Sequence, residues 1–293
     1  MGLALSAVYV IWGSTYLAIR VLALHDMPVF STAGVRFIVA GILLIAYSAL
    51  RGGGTKDRVN ARHWKAAFIV GGALLLGGNG AVVFAEKTVT SGIAALMIAA
   101  TPMWFAILSR VFLKERIHGL VIFGLVIGFL GLALLALPGA GANHIDPVGF
   151  IALLFAPIAW TSGSLYSKHA TFPQRPLMAA GLQMFAGGIL LFTAGIVTGE
   201  LSGFHMNRID AESWWALIYL IAIGSLVGYT SYIWLLKHAR TSLISTYAYV
   251  NPVVAVVLGS ILLDERLSGR TGVAAAVIIL GVALIVSARP DVA

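Results

Sequence analysis

Trp12, Tyr16, Asn79, Thr101, Trp160, Ser164, Tyr229, Tyr247 and Asn251 all fall in the interior of long apolar runs. Aromatic rings offer flat apolar faces for stacking, and hydroxyl and amide groups offer neutral hydrogen bonds. Such a set could hold an uncharged or zwitterionic organic molecule. It includes no carboxylate and no histidine to relay protons. Thr101 and Asn251 are each followed by proline, Pro102 and Pro252. A proline inside a helix withholds its N–H from the carbonyl four residues earlier, that of Ile98 or Ala248. Those two carbonyls are expected to be free and, with Asn79 or Asn251, to take the ammonium and carboxylate ends of a bound solute. Packing is the competing role for the tryptophans and tyrosines, and helix-to-helix bonding the competing role for Asn79 and Asn251.

The acidic residues (Asp26, Asp57, Glu86, Glu115, Asp146, Glu200, Asp210, Glu212, Asp264, Glu265 and Asp291) fall at run ends or between runs. Proton-coupled carriers and carriers of cations need a buried acid as relay or counter-ion. Its absence at mid-run points to passage down a gradient of a neutral or zwitterionic substrate. The histidines also lie at run ends, at no metal-ligand spacing, and no Ser-His-Asp grouping or phosphate-binding glycine loop is present. The sequence is therefore read as a non-enzyme without cofactor or metal. Arg36 stands inside a run, where an arginine costs on the order of 3 kcal/mol. Three roles fit it: snorkelling to the membrane surface, holding an anionic group, or gating the outer mouth. Glu115-Arg116 and Glu265-Arg266 read as salt bridges at turns.

The elements that must carry these residues are membrane helices. The chain has 293 residues, 60% of them hydrophobic and 10% charged, with a mean hydropathy of +0.97. A soluble domain cannot hide that much apolar surface. Ten runs are expected to span: 3–23, 28–50, 64–85, 90–113, 117–137, 147–168, 177–199, 214–236, 241–263 and 271–287. Most reach the roughly 20 residues that a crossing needs. The first lacks a basic flank and reads as a retained span rather than a cleaved signal. The net charge of +8 sits in short loops, a topology signal rather than a nucleic-acid surface. There is no cysteine, which excludes disulfides and thiolate chemistry.

The halves match at an offset of about 150 residues, the mark of a tandem repeat. Trp12 pairs with Trp160, Gly34 and Gly41 with Gly181 and Gly188, Gly78 with Gly228, Gly131 with Gly281, and Pro102 with Pro252. The expected units are residues 1–143 and 144–293. Five spans in each would invert the second copy, making an all-α membrane protein of two inverted five-helix repeats. Most Lys and Arg fall on the side of the N-terminus; Arg20, Lys87, Arg208, Arg266 and Arg270 fall on the other. Both termini are thus expected in the cytoplasm. Spans one, three, four, six, eight and nine hold the polar residues and are expected to ring a central cavity.

The Trp12-Gly13-Ser14-Thr15-Tyr16 opening, and Pro102 followed by Phe112-Leu113-Lys114-Glu115-Arg116, resemble the drug/metabolite transporter superfamily. So does the second copy, from Asn251-Pro252 to Leu262-Leu263-Asp264-Glu265-Arg266-Leu267. The similarity is greatest to the ten-helix branch of amino-acid and metabolite exporters (EamA-like) and extends over essentially the whole chain. The resemblance implies a bacterial inner-membrane exporter with a basket-like bundle around its substrate; the inverted repeat leads to alternating access, and the missing mid-run acid to a uniporter. An acid that small multidrug relatives carry in their first span is missing, which argues against cationic drugs. Within the family the uncharged aromatic residues resemble those of exporters of aromatic and other apolar amino acids. Export of another small metabolite or drug, or flipping of a lipid-linked sugar, remains the alternative. The expected partners are the small molecule and the bilayer, with a monomer favoured.

Overall fold

A computed structural model describes residues 1–51, 58–114, 119–136, 146–202, 204–205, 209–239, 247–264 and 268–287. Every regular element among them is helical. In chain order these are α1 (Gly2–Leu24), α2 (Val29–Leu50), α3 (Ala61–Ala85), α4 (Ser91–Phe112), α5 (Gly119–Ala136), α6 (Pro147–His169), α7 (Pro176–Val197), α8 (Ala211–Leu236), α9 (Tyr247–Leu262) and α10 (Gly269–Ser287). Among the described residues seven helices are long and apolar enough to cross a membrane: α1 to α4 and α6 to α8. The described parts of α5, α9 and α10 are shorter apolar helices. The first residues of the ninth run, 241–246, and the two Glu-Arg pairs lie outside the described residues.

Side chains at the helix starts supply what the first N–H groups lack. Asn60 accepts from the backbone of Arg62 and His63 at 3.0 and 3.1 Å and opens α3. Asp146 accepts from Gly149 N–H at 2.8 Å and opens α6. Asp210 accepts from Ser213 N–H at 2.6 Å and opens α8. That N–H, more than any other group, holds the Asp210 carboxyl below the usual carboxylate range. The cap therefore contributes at neutral pH and is lost as pH falls through the lowered value. The start of α2 is capped from far along the chain: Glu200 accepts from the N–H of Phe30 and Ser31 at 3.0 and 3.1 Å.

Two helices have a π-helical middle, Gly72–Asn79 in α3 and Leu220–Tyr229 in α8. The wider turn takes one extra residue per hydrogen-bonded ring and rotates the remainder of the helix about its axis. Proline acts differently in the two copies. In α4 the chain breaks after Ile98, turns at Ala99 and Ala100, and restarts at Thr101 with Pro102 in the new first turn. A proline there costs nothing, because that N–H would have no partner anyway. The expected free carbonyl is also corrected: Ile98 O accepts from the Thr101 hydroxyl at 2.5 Å. Pro252, by contrast, lies inside a continuous α9.

Helices meet where glycine lets backbones touch. A Cβ on Gly34 of α2 would lie 2.6 Å from the Phe192 backbone nitrogen in α7, and one on Gly188 would lie 3.0 Å from the Gly34 carbonyl. Further along, Gly41 would meet the Gly181 carbonyl at 2.9 Å and Gly181 that of Gly41 at 3.1 Å. The two helices therefore run antiparallel with reciprocal contacts. The pair α5 and α10 does the same, Gly124 against the Gly281 carbonyl at 2.7 Å and Gly131 against the Ile278 nitrogen at 2.9 Å. The remaining packing is matched as well. As α1 packs on α8 and α9, α6 packs on α3 and α4; as α2 packs on α8, α7 packs on α3.

Gly34→Val is expected to cost about 1–3 kcal/mol through overpacking and to lower the thermal midpoint in detergent. Gly272→Ala, where an added Cβ meets nothing within 4 Å, serves as the control and should leave that midpoint unchanged or raised.

Candidate functional site

A cavity of about 680 Å³, counting its open mouth, lies among these helices. It is lined by Trp12, Thr15, Tyr16 and Ile19 of α1, Arg36 and Phe37 of α2, and Leu75, Gly78, Asn79 and Val82 of α3. Ile98 and Thr101 of α4, Ala156, Pro157 and Trp160 of α6, Gly224 and Tyr229 of α8, and Tyr247 of α9 complete it. The lining matches the expected ring of spans, with one correction: α2, read as bland, also contributes.

The aromatic side chains form one packed group. Trp12 and Trp160 meet edge to face with centroids 5.5 Å apart. Tyr232 lies against both, at 4.8 and 5.4 Å, and Tyr247 lies 5.6 Å from Trp12. Glycines in the π segments seat the indoles. A Cβ on Gly228 would fall 2.8 Å from Trp12 Nε1, and one on Gly78 would fall 3.0 Å from the Trp160 ring. The paired tryptophans are thus held by paired glycines, each on the helix of the other half of the sequence.

Polar groups are tied into this frame. Trp160 Nε1 donates to the Tyr232 hydroxyl at 3.0 Å, which shares a further bond with Ser164 Oγ at 3.1 Å. The Tyr229 hydroxyl donates to Gln183 Oε1 of α7 at 2.9 Å. Asn79 Oδ1 is buried with no partner among the described residues. Asn251 is 3% exposed. With its amide nitrogen facing the carbonyls of Tyr247 and Tyr9, at 3.2 and 2.9 Å, it ties α9 to α1.

Of the residues singled out from the sequence, Trp12, Tyr16, Arg36, Asn79, Thr101, Trp160, Tyr229 and Tyr247 line the cavity. Pro102, Ser164 and Asn251 do not: Pro102 starts a helix, Ser164 supports Tyr232, and Asn251 joins two helices. Snorkelling of Arg36 is overturned. The side chain is 4% exposed, its Nε donates to Ser225 Oγ at 2.7 Å, and its guanidinium lies 4.5 Å from the Phe37 ring centre. Sequence reasoning missed Tyr232, Pro157 and Gly224. Tyr232 stands three residues after Tyr229, on the same helix face, and that spacing was the available signal.

Arg36 is the charged side chain in the lining, and no carboxylate lines the cavity among the described residues. Glu86, just past the C-terminal end of α3, is fully buried, and its carbonyl accepts from the Arg20 guanidinium. An aromatic chamber within a bundle of membrane-length helices is the architecture of a carrier. The sequence matches the EamA-like transporter family over residues 1–137 and 147–287. The chain belongs to that family. It is 38% identical to a chain of Escherichia coli strain K12 named "Uncharacterized inner membrane transporter YedA", over 96% of this chain and 89% of that one. It is 26% identical to the "Probable amino-acid metabolite efflux pump" of the same strain, over 94% and 90%. A solved crystal structure superposes with a TM-score of 0.62 at 21% identity, over 95% of this chain and 96% of that one, which shows a shared fold. The protein is a membrane transporter of this family.

Tyr232→Phe removes the acceptor of a buried indole N–H and should cost about 1–3 kcal/mol, read as a lower thermal midpoint. Tyr47→Phe, at a ring 44% exposed, should leave the midpoint unchanged.

Proposed function

We propose that this transporter exports amino acids, aromatic and other apolar ones favoured, by alternating access and without an intramembrane carboxylate relay. The observation that carries the reading is the aromatic cavity with no acid in its lining among the described residues. Rings of Trp12, Trp160, Tyr229 and Tyr247 present faces and edges to an apolar side chain. Asn79, with its unpartnered Oδ1, offers a hydrogen-bond acceptor to an ammonium group. The name of the E. coli efflux pump supports the same substrate class.

Two five-helix halves, residues 1–143 and 144–293, with ten crossings and both termini in the cytoplasm of a bacterial cell, complete the proposal. The reciprocal antiparallel crossings of α2 with α7 and α5 with α10 support a two-fold axis in the membrane plane. Rocking of one half against the other would then open the cavity to each side in turn.

Purified protein in liposomes should take up radiolabelled phenylalanine or methionine faster than empty liposomes do, to a similar extent with and without an imposed pH gradient. Equal uptake by loaded and empty liposomes would contradict the substrate class, and uptake that requires the gradient would contradict the uncoupled mechanism. A green fluorescent protein fused to the C-terminus should fluoresce in cells; a dark, exported fusion would contradict the sidedness.

A further inference from the structure

Arg36 is held as a charge awaiting a partner. It lies within α2, 4% exposed, between the central cavity and a smaller void lined by Leu22, Val29, Thr32, Val83 and Leu217. Its Nε is occupied by Ser225 Oγ, but Nη1 is enclosed with no acceptor. No carboxylate among the described residues comes within ion-pairing distance of the guanidinium. Helix α8 leaves room beside the group: a Cβ on Gly224 would come 3.0 Å from Nη2 and 2.9 Å from Thr15 Cγ2. A buried cation without a counter-charge is costly, and its planar fork fits the two oxygens of a carboxylate. Ser225 fixes the fork at one corner and Phe37 supports its face.

We propose that Arg36 is the counter-ion for a substrate carboxylate, so that the cavity selects monocarboxylates with an apolar body. This rests on the reading of the cavity as the transport site and names the group that every substrate must carry. The hydrocarbon end then lies against Trp12 and Trp160. A ligand whose carboxyl is amidated offers nothing to neutralise Nη1 and is rejected.

The test uses the full chain in detergent, with tryptophan fluorescence and thermal midpoint as readouts. The probes are phenylalanine, 3-phenylpropionate, phenylalaninamide and inorganic phosphate. Phenylalanine and 3-phenylpropionate are expected to bind and to raise the midpoint, while phenylalaninamide and phosphate have little effect. Arg36→Gln should weaken the carboxylates at least about 30-fold and leave the ligand-free midpoint equal or higher, since an unpaired buried charge has gone. Gly224→Ala, whose Cβ would come 2.9 Å from Thr15 Cγ2 and 3.0 Å from Arg36 Nη2, should weaken phenylalanine and 3-phenylpropionate alike. Binding of 3-phenylpropionate but not of phenylalanine would defeat the amino-acid reading and leave this inference standing. Equal binding of phenylalanine and its amide, unchanged carboxylate affinity in Arg36→Gln, or phosphate binding as tight as the carboxylates would overturn it.

Discussion

Lipid supplies no hydrogen bonds, and that constraint organises the whole molecule. Each polar group within an apolar helix must find its partner in another helix or in an enclosed space. Tyr232 satisfies Trp160 and Ser164, Gln183 satisfies Tyr229, and Asn251 faces two carbonyls. Each bond also fixes one helix against another. Of the buried side-chain atoms left without a hydrogen-bond partner among the described residues, Arg36 Nη1 and Asn79 Oδ1 belong to residues that line the cavity, while others, such as Trp104 Nε1 and Thr161 Oγ1, lie outside it. Those two groups stand where a solute can supply their partners.

Close packing makes that arrangement possible. Where glycines of α2 and α7 face each other the backbones touch, which holds the outer helices tightly and leaves the spare volume at the centre. The same residue type does a second task in the π segments. Gly78 and Gly228 hollow out the surface into which Trp160 and Trp12 set their indoles. A small residue therefore both closes the periphery and shapes the chamber.

Much of this was legible in the sequence. Composition dictated membrane helices, and the uneven spread of polar residues pointed to helices that line the centre. Trp12, Trp160, Tyr229 and Tyr247 could be picked out because interior aromatic residues far from run ends have few other uses. The rest depended on local geometry that residue types do not encode. Apolar periodicity cannot distinguish an α from a π turn, so the rotation that sets Tyr232 against both tryptophans was not readable, although its spacing from Tyr229 was. The Thr101-Pro102 pair read as a kink, although the chain can equally restart a helix there, and the threonine hydroxyl then claims the Ile98 carbonyl. Arg36 was ambiguous because snorkelling depends on whether a path to water is open, and Phe37 and Ser225 hold the side chain inside.

The central claim is that the aromatic cavity is the chamber that opens alternately to the two sides of the membrane. The chain has no cysteine, so Thr101→Cys introduces a single reactive thiol into the cavity wall. Labelling by a membrane-impermeant thiosulfonate should proceed in both right-side-out and inside-out vesicles, and excess phenylalanine should slow it in both. A thiol protected from both sides, or labelled at rates that phenylalanine does not change, would contradict the account.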